Sequence, residues 1–166
     1  MSHPPRLLVA NRGEVAVRVL RAAASLGLST VAVYSDDDAC GTHVRLADEA
    51  RALGSSGPAA YLDAARLVAL ARESGSTLVH PGYGFLSEDA GFAELCAEAG
   101  LAFVGPDPRT LALFGDKTRS RELAVSLGVP VAPGTSGPTG VEEARSFLEG
   151  LGPGASVVVK ACLLYT

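Results

Sequence analysis

An α/β fold, a parallel sheet flanked by helices, is predicted for residues 1–104 by three observations. Short apolar runs of strand type alternate with segments whose apolar residues recur at helical spacing. The connections are short, and glycine closes several of the helical segments. The composition is globular, with 48% hydrophobic and 19% charged residues in a chain of 166, so there is apolar surface enough for a core. Repeated β-α-β units of this kind bury a parallel sheet under helices on both faces.

Arg6–Ala10 (RLLVA) reads as the first strand. Gly13–Leu26 follows as a helix, with Val15, Val19, Ala22, Ala23 and Leu26 at helical spacing and Gly27 as a left-handed C-cap. Thr30–Tyr34 is β-branched and extended, and Glu49–Leu53 is a weaker third strand. Asp63–Ser74 is a helix closed by Gly75, Thr77–His80 a strand, Ser87–Ala99 a helix N-capped by Ser87, and Leu101–Val104 a further strand. The pattern changes at Gly105-Pro106. Asp107-Pro108 has the N-cap and first-turn chemistry of a helix running to Phe114. Asp116–Leu127 is a second helix, stopped by Gly128 and Pro130. Pro133–Gly140 is rich in turn residues, Thr139–Glu142 fits a capping box for a helix through Leu148, and Ser156–Ala161 (SVVVKA) reads as a strand. The domains expected are therefore 1–104, a helical linker over 105–130, and the start of something else over 131–161.

Charge and cysteine usage narrow the function classes. Fourteen basic against eighteen acidic residues give −4, which argues against nucleic acid as a partner. No apolar run reaches membrane-span length, and the first residues lack a signal-peptide core, so a cytoplasmic location is expected. Cys40, Cys96 and Cys162 form no CxxC and no cluster with histidine; reduced, mostly buried thiols are expected, with no metal site. Among the 14 basic residues, Lys117 and Lys160 are the only lysines. Arginine usage this one-sided fits a coding bias; the two lysines are then either chance survivors, the plainer reading, or places where a compact charge for phosphate oxygens is needed.

Three segments bear on chemistry. Asn11-Arg12-Gly13-Glu14 sits where a dinucleotide fold carries its glycine-rich turn, and Asp36–Asp38 sit where such a fold carries its ribose acid. With one glycine only, the backbone cannot approach a pyrophosphate, so a structural turn is preferred, Asn11 capping the helix and Gly13 allowing close packing. His80–Glu88 (HPGYGFLSE) follows a strand at its carboxyl end, where open sheets place ligands; the plain alternative is a rigid turn with Tyr83 and Phe85 packed inward. Gly115-Asp116-Lys117 opens a helix, where backbone N–H groups plus an ammonium suit a phosphate.

Taken in order, LLVANRGEVAVRVLRAA, HPGYGFLSE, FVGP, GDKTRSR and VPVAPGT resemble the N-terminal part of biotin carboxylase. This is the ATP-grasp component of acetyl-CoA, propionyl-CoA, pyruvate and related carboxylases, some of which serve fatty acid biosynthesis. The resemblance spans residues 6–161. It implies a Rossmann-like pre-ATP-grasp domain over 1–104, then the opening of an ATP-grasp fold, including its lid subdomain, up to 161. It implies ATP binding by Lys117 and Lys160, a biotin pocket bordered by Tyr83, Gly84 and Glu88, and a homodimer interface involving Arg18 and Arg21. It further implies Mg2+, bicarbonate and biotin as cofactors and substrates, and a biotin carboxyl carrier protein and a carboxyltransferase as partners. The parent reaction would form carboxyphosphate from ATP and bicarbonate and then carboxylate biotin N1. The family's magnesium carboxylates, bicarbonate arginine and general base have no counterpart among these residues, so no catalytic residue is expected here and the chain alone is expected to be inactive. After VVVKA the family's glycine-rich lid is replaced by Cys162–Thr166, expected to be a non-native tail; one coding of it resembles the end of a common transposon sequencing adapter. A fragment of another pre-ATP-grasp ligase, or a non-catalytic dimerisation module, is the alternative.

Overall fold

The computed structural model describes residues 5–135 and 137–160. β1 (Arg6–Val9) leads through α1 (Gly13–Ser25) to β2 (Ser29–Tyr34). A 3-10 turn at Asp36–Asp38 and the short α2 (Thr42–Leu46) connect it to β3 (Glu49–Ala52). A second 3-10 turn, Pro58–Leu62, precedes α3 (Ala64–Glu73), which is followed by β4 (Leu78–His80), α4 (Ala90–Glu98) and β5 (Ala102–Phe103). Then come α5 (Pro108–Gly115), α6 (Lys117–Ser126) and α7 (Val141–Gly150). The chain divides into two compact units, 1–111 and 112–166.

In the first unit the five strands are all parallel, in the order β3-β2-β1-β4-β5. Successive strand residues point to opposite faces. Leu8, Val31, Val33 and Val79 pack on one face with Leu67, Leu70 and Ala71 of α3 and with Phe92 and Cys96 of α4. Leu7, Val9 and Ala32 pack on the other face with Ala16, Leu20 and Ala23 of α1. These α1 positions are three and four apart, so they form one stripe. The order of the strands reverses at β1: the chain runs outward to β2 and β3 on one side, then returns to β4 and β5 on the other. The crevice beyond the carboxyl ends of β1 and β4 is therefore the topological switch point of a Rossmann-like sheet.

The sheet's margins are polar or short. On β3, Glu49 is paired with Arg6 of β1 and with Arg51, while Arg66 donates to the Ala52 carbonyl at 3.3 Å. β5 has two residues. Within the core, Tyr61 stacks on Phe85 at 5.2 Å between ring centroids, and Phe92 meets Phe103 edge-on at 5.9 Å.

Several local expectations are corrected. Ser87 does not cap α4: its amide donates to the Gly84 carbonyl within a turn, and Asp89 caps instead, accepting from the Phe92 amide at 2.7 Å. The Thr139 hydroxyl donates to the Gly137 carbonyl and shares a hydrogen bond with the Thr135 hydroxyl, so no capping box opens α7 and Gly140 is its N-cap. Residues 156–160 form no strand, and Ala161 lies outside the described residues, as does the 162–166 tail. Cys96 is buried, and burial pushes its thiol up to about 11, but Cys40 is exposed; Cys162 is outside the described residues.

In the second unit, α6 is capped by Asp116, and Arg121 donates to the carbonyls of Ala132 and Gly134, holding that stretch against the helix. No described residue of 112–160 is buried. Local stability follows buried contact, so amide exchange should be slow in β1, β2 and β4 and fast in α6 and α7. Equal protection in the two units, measured on the whole chain, would contradict this.

Candidate functional site

Residues after β1 and after β4 meet at the switch point. Asn11 follows β1 and is 2% exposed. It is not the cap of α1, whose N-cap is Arg12 without a side-chain bond. Its Nδ2 instead donates to the carbonyls of Pro81 at 2.8 Å and Tyr83 at 3.0 Å, while its Oδ1 accepts from the Arg12 amide. Gly82 lies against it: a Cβ there would stand 2.6 Å from Asn11 Nδ2 and 2.7 Å from Val15 Cγ1, and φ is +69°. Only glycine meets both demands. Two carboxylates of the acidic triplet are also engaged. Asp38 pairs with Arg12 at 2.9 Å, and Asp37 accepts from the Gly57 amide, which holds its carboxyl below the usual range. Gly13 is not there for close packing, since a Cβ at that position would meet nothing within 4 Å; its φ of +57° is what favours glycine.

The HPGYGFLSE loop extends from the carboxyl end of β4. His80 Nδ1 accepts from the Gly82 amide at 2.9 Å, so its proton is assigned to Nε2. Phe85 turns inward against Tyr61, but Tyr83 does not pack inward: it is 65% exposed, and its hydroxyl donates to Glu14 Oε1 at 3.0 Å. That hydrogen bond raises the Tyr83 hydroxyl above its ordinary range, and the Glu14 charge adds to it; the charge of Arg18 acts in the opposite sense. Gly84 and Phe85 both have positive φ, +68° and +45°. For a phenylalanine this is a strained conformation. Gly84 and Glu88 are exposed, so the three residues expected at a biotin pocket, Tyr83, Gly84 and Glu88, share one outward-facing loop. Arg18 and Arg21 are exposed on α1.

Lys117 and Lys160 both belong to the second unit; Lys117 is half-buried at the first position of α6, and Lys160 is exposed. Asp116 Oδ1 accepts from the amides of Thr118 and Arg119. Two of the backbone donors expected to help hold a phosphate are thus engaged by a carboxylate. Among the described residues no group of three or more His, Cys, Asp or Glu is arranged to hold a metal, and no helix is long and apolar enough to cross a membrane.

Two features had no clear sequence signal. Glu14 reads as an ordinary first-turn acid. His43 lies on a five-residue helix, yet it is 1% exposed and neither ring nitrogen makes a well-formed hydrogen bond. Burial pushes its imidazole below the ordinary 6.5, reinforced by Arg12 and opposed by Asp38 and the Val33 backbone. Burial lowers His80 likewise. An unfolded chain then binds protons that the folded chain refuses, so stability is complete above pH 6.5 and declines as pH falls below it. Thermal melts should show a plateau at neutral pH and a decline on the acid side that His43→Leu makes shallower; identical acid limbs would refute the role of His43.

A parallel sheet with Asn11 and Gly82 packed together at its switch point and a glycine-rich loop projecting beside it defines a Rossmann-like domain. Comparison with known proteins specifies the kind. The family described as biotin carboxylase, N-terminal domain, matches residues 3–111, and the chain belongs to it. It is 46% identical over 163 residues to a pyruvate carboxylase of Schizosaccharomyces pombe, covering 95% of this chain and 14% of that protein. Among solved structures it resembles the biotin carboxylase domain of a single-chain bacterial carboxylase, at 62% identity and a TM-score of 0.85, over 89% of this chain and 34% of that one. It also resembles the biotin carboxylase domain dimer of Hydrogenobacter thermophilus 2-oxoglutarate carboxylase, solved with MgADP and bicarbonate, at 45% identity and a TM-score of 0.85, over 92% of this chain and 34% of that one. The chain thus spans about a third of a biotin carboxylase domain.

Proposed function

We propose that this chain supplies the N-terminal part of a biotin carboxylase that uses ATP and bicarbonate to carboxylate biotin on a carrier protein, for transfer to an acyl-CoA or keto acid by a carboxyltransferase. The observation that carries the reading is the HPGYGFLSE loop, pinned to the switch point of a domain of this family and presenting Tyr83, Gly84 and Glu88 outward. In this reading residues 1–104 are the pre-ATP-grasp domain, and 105–161 are the linker and the opening of the ATP-grasp fold. Lys117 and Lys160 bind the ATP phosphates; their compact ammonium charges suit that role. Arg18 and Arg21 lie at a homodimer interface. Magnesium and bicarbonate are bound by parts of the whole protein beyond this chain, and this chain alone releases no ADP. The reading takes in an acetyl-CoA substrate in fatty acid biosynthesis alongside the pyruvate and 2-oxoglutarate named for relatives.

The test grafts residues 5–160 onto the remainder of the single-chain bacterial carboxylase's biotin carboxylase domain. ADP release dependent on bicarbonate and biotin is then measured. Lys117→Ala and Lys160→Ala should each weaken ATP use by about 1–3 kcal/mol, since each removes a charge-assisted bond. Arg109→Ala should change it little. Unaltered ATP affinity and rate in both lysine variants would reject the assignment, and ADP release by the isolated chain above a no-protein control would reject its inactivity.

A further inference from the structure

Tyr83 combines two properties that packing does not reconcile. It is 65% exposed, so its ring contributes little to the core, yet its surroundings are held from several directions. Its carbonyl is bound by Asn11, Gly82 before it is wedged against Asn11 and Val15, and Phe85 two residues on is stacked on Tyr61. Its hydroxyl is bound by Glu14, one turn before Arg18 on α1. A phenol with a free tip would sample several rotamers in water, and fixing one costs entropy. The contacts of Asn11, Gly82 and Phe85 hold the backbone of the loop; the contact of Glu14 acts on the ring's direction.

We propose that Glu14 is the positioning residue for the Tyr83 ring, holding the phenol in the orientation in which the loop meets biotin. This rests on the reading of that loop as the border of the biotin pocket. Asn11 and Glu14 flank the start of α1, so one helix terminus carries both supports, Asn11 for the backbone and Glu14 for the side chain. The carboxylate also keeps the phenolic proton in place. The charged neighbours acting on the hydroxyl are Glu14 and Arg18, both on α1.

The first measurement uses the whole 166-residue chain, with tyrosine ring carbons labelled and Tyr83→Phe assigning the resonance. In the parent chain the Tyr83 hydroxyl should titrate above the ordinary 10.0. In Glu14→Ala its titration should move down towards that value. A titration unchanged by Glu14→Ala overturns the proposal.

The second measurement uses the grafted carboxylase described above and free biotin. Glu14→Ala should raise KM for biotin about fivefold or more, with a smaller change in kcat, and Glu14→Gln, which keeps an acceptor oxygen, should return KM to within about twofold. If Tyr83→Ala raises KM and Glu14→Ala does not, the positioning role is wrong. If Tyr83→Ala itself leaves KM unchanged, the biotin reading of the loop is wrong, and the titration still decides whether Glu14 orients the ring.

Discussion

Tyr61→Ala is expected to destabilise the 1–111 unit by about 5 kcal/mol, the largest effect of any single substitution argued here. Tyr61 is fully buried on the 3-10 turn before α3, its ring stacks on Phe85, and its hydroxyl accepts from the Ser35 amide at 3.1 Å. Truncation of a buried aromatic leaves a cavity worth about 3–5 kcal/mol. The Ser35 N–H then adds about 1–3 kcal/mol as a buried donor without a partner. Domains of this size are stable by about 5–15 kcal/mol, so the unit would stand near its limit. Tyr61→Phe keeps the packing and should cost only the second contribution. Phe114→Ala, at an exposed position of the second unit, should cost less than about 0.5 kcal/mol. Urea titration followed by circular dichroism separates the three; a loss below about 1 kcal/mol for Tyr61→Ala would contradict the packing described.

Asn11→Leu is expected to cost about 3 kcal/mol, although the two side chains have similar volume. The leucine offers no donor to the Pro81 and Tyr83 carbonyls that the amide now satisfies. Asn11→Asp should be no better, because a carboxylate would face those same oxygens. Gly82→Ala should be destabilising on two counts, the steric clash and the left-handed backbone. The clash is with Asn11 itself, which makes a sharper test possible. In Asn11→Ala the Cβ added at Gly82 finds part of its space vacated, so the double variant should lose less than the sum of the single losses. Strict additivity in a double-mutant cycle would show that the two residues do not press on each other.

Much of the first unit is readable in the residues themselves. β1, β2 and β4 are apolar runs, and α1 and α3 carry clear helical stripes, because each must bury one face. β3, with the sequence Glu-Ala-Arg-Ala, is weakly marked; pairing with β2 makes it a strand. α2 and the turn at Pro58–Leu62 have five residues each, too few for a period to show. Ser156–Lys160 shows the converse error. Its β-branched run has strand propensity, but a strand also needs a neighbour, and the described residues of 112–160 contain none. In the candidate site, the glycines, proline and tyrosine of the loop stand out as a motif. The reach of Asn11 across 70 positions to Pro81 does not, since an asparagine before a helix is already explained as a cap. Glu14 was hidden in the same way by a local role that accounts for an acid there.

The margins of the sheet bear on self-association. An unpaired strand at the edge of a sheet recruits other strands unless it is blunted. At β3 the exposed side is charged and its Ala52 carbonyl is taken by Arg66; at β5 two residues are too few to seed an added strand. Both margins thus carry features that discourage the pairing of a further strand. If copies of this domain meet through α1, that helix brings its two exposed arginines, Arg18 and Arg21, to the contact. Like charges on facing copies repel unless acids or ordered orientation offset them, so such an encounter is selective for register and sensitive to salt.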